Sequence, residues 1–241
     1  MNAILKLCFD APMQSWGTRS HGIIRDTATE PTKSGVLGLL GAAMGIDRTD
    51  DASLAELARL SMGVRVDRQG ILERDYQTAQ NVPTTTGSGH RTVVSERYYL
   101  ADALFLVILE GDAGLLARVA DAVRRPRWRL YLGRRAFVPT RPILIEPGLL
   151  TGQTLHDALT THPWLVEPDS VRCAERAKSA DDRAPLRLIV DCPPTLPEAE
   201  IRNDHPISFA PDRRRFATRS VLLNHTPLTN AMLNVEVPSC S

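Results

Sequence analysis

Between residues 118 and 141 the sequence reads RVADAVRRPRWRLYLGRRAFVPTR, with eight arginines, at 118, 124, 125, 127, 129, 134, 135 and 141, against one acid, Asp121. Trp128, Tyr131 and Phe137 are set among them. A guanidinium binds phosphate through a planar fork, and a ring stacks on a base, so cations interleaved with aromatics suit a single-stranded nucleic acid. Arg118, Arg124 and Arg125 are equally well read as the solvated face of a helix. Arg134 and Arg135 are different: a glycine followed by paired arginines after a strand reads as a turn aimed at a ligand.

A second candidate lies in EPTKSGVLGLLGAAMGID. Thr32 or Ser34 can cap a helix running to about Ile46, and the free N–H groups of its first turn, Lys33 and two hydroxyls together form an anion site suited to phosphate. It is not a nucleotide P-loop, because TATEP stands where the glycine-rich turn should be. Gly35, Gly38, Gly41 and Gly45 share one side of this helix, which predicts close packing of helix on sheet. A third group is Arg74, Tyr76, Arg97, Tyr98 and Tyr99, which flank a Gly/Ser/Thr/Pro-rich stretch, QNVPTTTGSGH, expected to be the exposed tip of a long hairpin.

The elements that must hold these residues follow from periodicity. ILKLCF alternates as a strand with Leu5, Leu7 and Phe9 on one face, ended by Pro12. DDASLAELARL is a second helix. GVRVD and ILERDYQTA are strand-like runs joined by a Gly-containing turn, followed by TVVSERYY and ALFLVILEG. AGLLARVADAVRRP carries Leu115, Leu116, Val119 and Val123 at helical period and stops at Pro126. This order predicts an α+β fold with the split βαβ arrangement of a ferredoxin-like domain over 1–145, a hairpin at about 77–97, and a proline-rich, β-rich extension over 146–241.

Composition narrows the function classes. The 241 residues carry a formal charge of only +1, so overall basicity announces no polyanion, although Lys stands only at 6, 33 and 178 among 29 basic residues. Cysteines at 8, 173, 192 and 240 form no C-x-x-C pair, and histidines at 21, 90, 156, 162, 205 and 225 show no ligand spacing. Neither zinc nor a disulfide framework is indicated, and a cytoplasmic setting is expected. The apolar runs are too short for a signal peptide or a membrane span.

The segments APMQSWG, PTKSGVLGLLGAAMGI, RDYQTA and YLGRR, in this order, resemble the fifth Cas family of CRISPR-associated proteins, in the form found in type I-E surveillance complexes. The likeness runs from about residue 4 to 145, with RRFATRS in the tail also similar. It implies an RNA-recognition-motif-like fold with a protruding hairpin thumb. It also implies a role as a non-catalytic binder of the 5′ handle of crRNA, capping a filament of seventh-family subunits beside the large subunit and near target DNA, with no cofactor. On this resemblance Gln14 and Trp16 would bond or stack a handle base, and Thr32, Lys33 and Ser34 would meet phosphates. Arg134 and Arg135 would grip the handle, while Arg74, Tyr76, Arg97 and Tyr98 stand at the base of the thumb. The alternative is a metal-independent endoribonuclease using His90, Tyr98 or Lys33 to activate a 2′-hydroxyl. A pure interaction scaffold is the third possibility.

Overall fold

The computed structural model describes residues 2–18, 22–84, 87–167 and 169–234. Strand β1, Asn2–Asp10, is buried on both faces. Leu5, Leu7 and Phe9 enter one core, whereas Ile4 and Cys8 enter another on the opposite side. Two short strands follow, β2 (Met13–Gln14) and β3 (Ile24–Arg25). Helix α1, Lys33–Met44, is capped by Thr32, whose Oγ1 accepts from the Gly35 N–H at 3.3 Å, and it ends at Gly45 with φ 72°. Asp50 caps α2, Asp51–Ala58.

Strand β4, Ser61–Arg68, is buried, but β5, Ile71–Pro83, is exposed along most of its length. The two runs are joined by a turn, yet they lie in different sheets. Gly70 has φ 74°, and a Cβ there would stand 2.6 Å from the Ala101 carbonyl oxygen, so the chain leaves the first sheet at a point only glycine permits. β5 pairs with β6, His90–Ala101, in a long antiparallel hairpin, and β6 also carries β2 and β3 along its other edge. Thr85 and Thr86 of the hairpin tip lie outside the described residues, as do His21 and Cys240.

Strand β7, Leu104–Asp112, returns to the first sheet, and Asp112 caps α3, Ala113–Arg124. The next strand is β8, Leu144–Thr151. The strand expected before YLGRR does not form. Residues 126–143 instead make a long irregular loop, although Trp128, Leu130 and Leu132 alternate with polar residues as a strand would. Helices α4 (Leu155–Thr161) and α5 (Asp169–Ala177) follow, then strands β9 (Leu186–Asp191), β10 (Glu200–Ser208) and β11 (Arg215–Thr226), and the short helix α6 (Asn230–Asn234).

The main sheet has seven strands in the order β10-β11-β9-β4-β7-β1-β8, with every described pairing antiparallel. The strands after residue 145 therefore prolong the first sheet and do not form one of their own. Helices α1 and α3 share a core with one face of the sheet, and α4 and α6 share a second core with the other. Covering both faces explains why β1, β4 and β7 read as nearly continuous apolar runs.

Candidate nucleic-acid interface

Helix α1 turns Val36, Leu37, Leu40 and Ala43 into the core and leaves Gly38 and Gly41 on a groove of about 1030 Å³. The 127–135 stretch of the long loop lines this groove, and so do Phe209, Pro211 and Arg214 from the turn between β10 and β11. Arg48, Arg127, Arg129, Arg135 and Arg214 line it, with Trp128, Tyr131 and Phe209 among them and Asp47 as the only acid. None of the five arginines has a carboxylate within ion-pair distance among the described residues. Within the 118–141 segment, Arg118 pairs with Glu56, Arg124 with Asp121 and Glu146, and Arg141 with Asp10 and Glu167. Cations left without counter-charge along one groove favour a polyanion there.

The loop is held in place by both its ends. The Arg127 and Trp128 N–H groups donate to the carbonyls of Ala43 and Ala42, satisfying acceptors in the last turn of α1. The Arg127 side chain crosses Gly45, where any Cβ would collide with it. At the far end, Gly133 has φ 101° and passes so close to the Ser15 carbonyl that no side chain fits, while Ser15 N donates to Leu132 O at 3.0 Å. The glycine of YLGRR is thus required both for its backbone angle and for its contact. It sends Arg135 to the groove and Arg134 to the base of the hairpin, where Arg134 Nη2 donates to Tyr98 O at 2.7 Å and the guanidinium lies 5.3 Å from the Phe137 ring. Burial, and then the charge of Arg97 with a smaller share from Arg25, pulls the Arg134 guanidinium below its usual range, with Asp75 opposing. Arg25 was not among the residues singled out from the sequence. Its parallel pairing with Arg97, between β3 and β6, brings it there, and a two-residue strand in a loop gives no periodic signal.

Several residues singled out from the sequence are buried, Trp16 among them although it borders the groove. Gln14 is fully buried, its Nε2 donating to the carbonyls of Phe9 and Ala103 and its Oε1 accepting from Trp16 Nε1 at 3.3 Å. Trp16 is 2% exposed and stacks on Phe9 with ring centroids 5.4 Å apart. Neither presents a surface to a base. Gly35 makes room for that ring, since a Cβ there would lie 2.8 Å from Trp16 Cε3, so close packing holds at Gly35 while Gly38 and Gly41 face the groove. The ring exposed in the groove is Trp128, at 45%.

The start of α1 does bind an anion, but it is the protein's own. Lys33 N–H donates to Asp204 Oδ2 at 2.7 Å, and Lys33 Nζ pairs with Asp191 Oδ2 at 2.8 Å. Arg219, from RRFATRS, joins the two carboxylates: its Nε donates to Asp204 Oδ1 at 2.6 Å and its Nη1 to Asp191 Oδ1. Thr32 is buried and spends its hydroxyl on the cap, whereas Ser34 stays half-buried on the groove margin.

Strand alternation divides the residues at the base of the hairpin. Arg74 faces Tyr98 and Tyr76 faces Glu96, which places Arg74, Tyr76 and Tyr98 on one side of the sheet. Arg97 faces Asp75 and Arg25 on the other side, toward Arg134. Arg134, Arg97 and Arg25 therefore share one side of the hairpin base, away from Arg74 and Tyr76. The catalytic candidates are also scattered. His90 and Tyr98 are eight positions apart on β6, about 26 Å along the strand, and Lys33 is buried in its ion pair. Among the described residues no group of three His, Cys, Asp or Glu is placed to hold a metal, and no helix is long and apolar enough to cross a membrane.

Fold and groove together describe an antiparallel α+β protein with a cationic, ring-lined channel. Residues 4–222 match the family model described as CRISPR-associated protein (Cas_Cas5). The chain is 36% identical over 160 residues to the CRISPR system Cascade subunit CasD of Escherichia coli K12, covering 60% of this chain and 71% of that one. A chain from a solved CRISPR RNA-guided surveillance complex superposes with a TM-score of 0.75 at 30% identity, covering 95% of this chain and 92% of its own length. A crystal structure described as a Cas protein gives 0.69 at 37% identity, covering 93% and 95%. The chain belongs to the Cas5 family of CRISPR-associated proteins.

Proposed function

We propose that this chain is the crRNA-binding subunit of a type I-E surveillance complex, a non-catalytic protein that holds the 5′ handle of the guide and caps a filament of backbone subunits beside the large subunit. The observation that carries the reading is the groove over α1, where five arginines without carboxylate partners among the described residues stand beside the exposed Trp128 and the half-buried Tyr131 and Phe209. The strand order β4-β7-β1-β8, with α1 and α3 on one face, supports a ferredoxin-like domain of the RNA-recognition type, whose last strand β8 carries it past residue 145 to Thr151. The β5–β6 hairpin, inserted between its second and third strands, would serve as the thumb, and β9–β11 as the extension of 146–241. The handle then lies in the groove, passes Arg135 and Gly133, and reaches Arg134, Arg97 and Arg25 at the thumb base. Target DNA would be engaged by neighbouring subunits close by.

Incubating the purified chain with its repeat-derived RNA tests this directly. Retention of intact RNA is the expected result; cleavage, or no retention above that of a mixed-sequence RNA, would refute it. The two tryptophans separate binding from folding. Trp128→Ala should weaken RNA binding by about 1–3 kcal/mol through lost stacking and leave Tm unchanged. Trp16→Ala should cost about 3–5 kcal/mol of stability as a core truncation while the folded fraction keeps its affinity. Filter binding and thermal melts of both variants check the pair.

A further inference from the structure

Resting on the RNA-binding reading above, we infer that the β10–β11 turn, Phe209–Arg214, is the second jaw of the groove and that Arg214 grips a phosphate of the strand lying in it. The turn belongs to the C-terminal extension, remote in sequence from α1 and the arginine loop, yet Phe209, Pro211 and Arg214 line the same groove as Arg127, Trp128 and Arg129. Three consecutive arginines stand here, and their surroundings differ. Arg213 points to α2, where its Nη2 lies 3.4 Å from Asp51 Oδ2. Arg215 opens β11. Arg214 has no carboxylate partner among the described residues and lies with its guanidinium 5.2 Å from the centroid of Phe216, which in turn meets Phe209 edge-on at 6.3 Å. A guanidinium resting on a ring keeps its in-plane N–H groups free to bind phosphate.

The jaw is positioned in advance. Ala210 N–H donates to Ser208 Oγ at 3.3 Å and Arg213 N–H to Ala210 O at 3.2 Å, which fix the turn itself. The Asp204–Arg219–Asp191–Lys33 network ties β9, β10 and β11 to the start of α1. Gly38 lies directly against the jaw: a Cβ there would stand 3.8 Å from the Phe209 ring, so the bare face of α1 lets the turn pack close to the helix. The extension thereby completes a binding channel that the first 145 residues leave open on one side.

Salt titrations of repeat-derived RNA binding to the full chain and to Arg127→Ala, Arg213→Ala and Arg214→Ala test the inference. Arg214→Ala and Arg127→Ala should each reduce the slope of log affinity against log salt by about 0.7, and Arg213→Ala, which removes the same charge one residue away, should not. If Arg127→Ala lowers the slope and Arg214→Ala does not, the jaw is refuted while the groove stands. If neither lowers it, the groove reading fails with it. Equal effects of Arg213→Ala and Arg214→Ala would also overturn the jaw, since the turn would then act only as diffuse charge. A gain-of-bulk variant gives an independent check: Gly38→Leu should displace the Phe209 ring, which a Cβ there would already touch at 3.8 Å, and reduce the RNA affinity of the folded protein at least tenfold. Unchanged affinity in that variant would place the strand outside the jaws.

Discussion

Replacing Arg127, Arg129 and Arg135 together by alanine is expected to lower the affinity for repeat-derived RNA about fiftyfold at 0.15 M salt and to reduce the salt slope by about 2. Each phosphate contact to a single strand contributes about 0.7 to that slope, which between 1 M and 0.15 M amounts to about fourfold per contact. The fold should be untouched, because none of the three side chains has a carboxylate partner among the described residues. Arg124→Ala provides the contrast. It removes a positive charge from the same segment, but Arg124 is engaged with Asp121 and Glu146, so its loss should leave the slope unchanged. If Arg124→Ala matched the effect of a single groove arginine, net charge and not the groove would govern binding.

A loss of stability as large as that of Trp16→Ala is expected at Asp204. Its buried carboxylate accepts from the first N–H of α1 and from two nitrogens of Arg219, a side chain itself almost fully buried. Removing one partner of a buried, hydrogen-bonded ion pair leaves the other charge without compensation, typically at a cost of about 3–5 kcal/mol. Asp204→Ala should therefore lose stability on that scale in urea unfolding, and Asp204→Asn, which keeps shape and one acceptor, should lose less. A loss within about 0.5 kcal/mol, the range of an ordinary surface substitution, would show that the network does not hold the extension to α1.

These two results also mark what the sequence could and could not disclose. Helix α1 was legible at its start through Thr32, whereas Gly45, read with the packing glycines of a helix reaching Ile46, ends it at Met44; α3 was legible from the period of Leu115, Leu116, Val119 and Val123. The anion at the start of α1 was legible as a chemical demand. Its supplier was not, because Asp204 lies 171 positions further along the chain. Trp16 and Trp128 illustrate the same limit. Both are aromatics beside polar residues, and only tertiary structure shows that Gly35 makes a pocket for the first while the loop leaves the second exposed. The loop 126–143 imitates a strand through the alternation of Trp128, Leu130 and Leu132, but Gly133 and the tethers to Ala42, Ala43 and Ser15 dictate an irregular path. The separation of Arg97 from Arg74, Tyr76 and Tyr98 follows from simple alternation once the hairpin register is known. Arg25 had no such rule to reveal it.

Ultraviolet crosslinking of repeat-derived RNA to the full chain, with the attached peptides identified by mass spectrometry, tests the central claim most directly. The account predicts intact RNA joined chiefly to the loop segment around Trp128 and Tyr131, with a second set of crosslinks in the turn that carries Phe209. Crosslinks confined to the outer face of the hairpin around Tyr76 and Tyr98, with none in the loop or the turn, would contradict it.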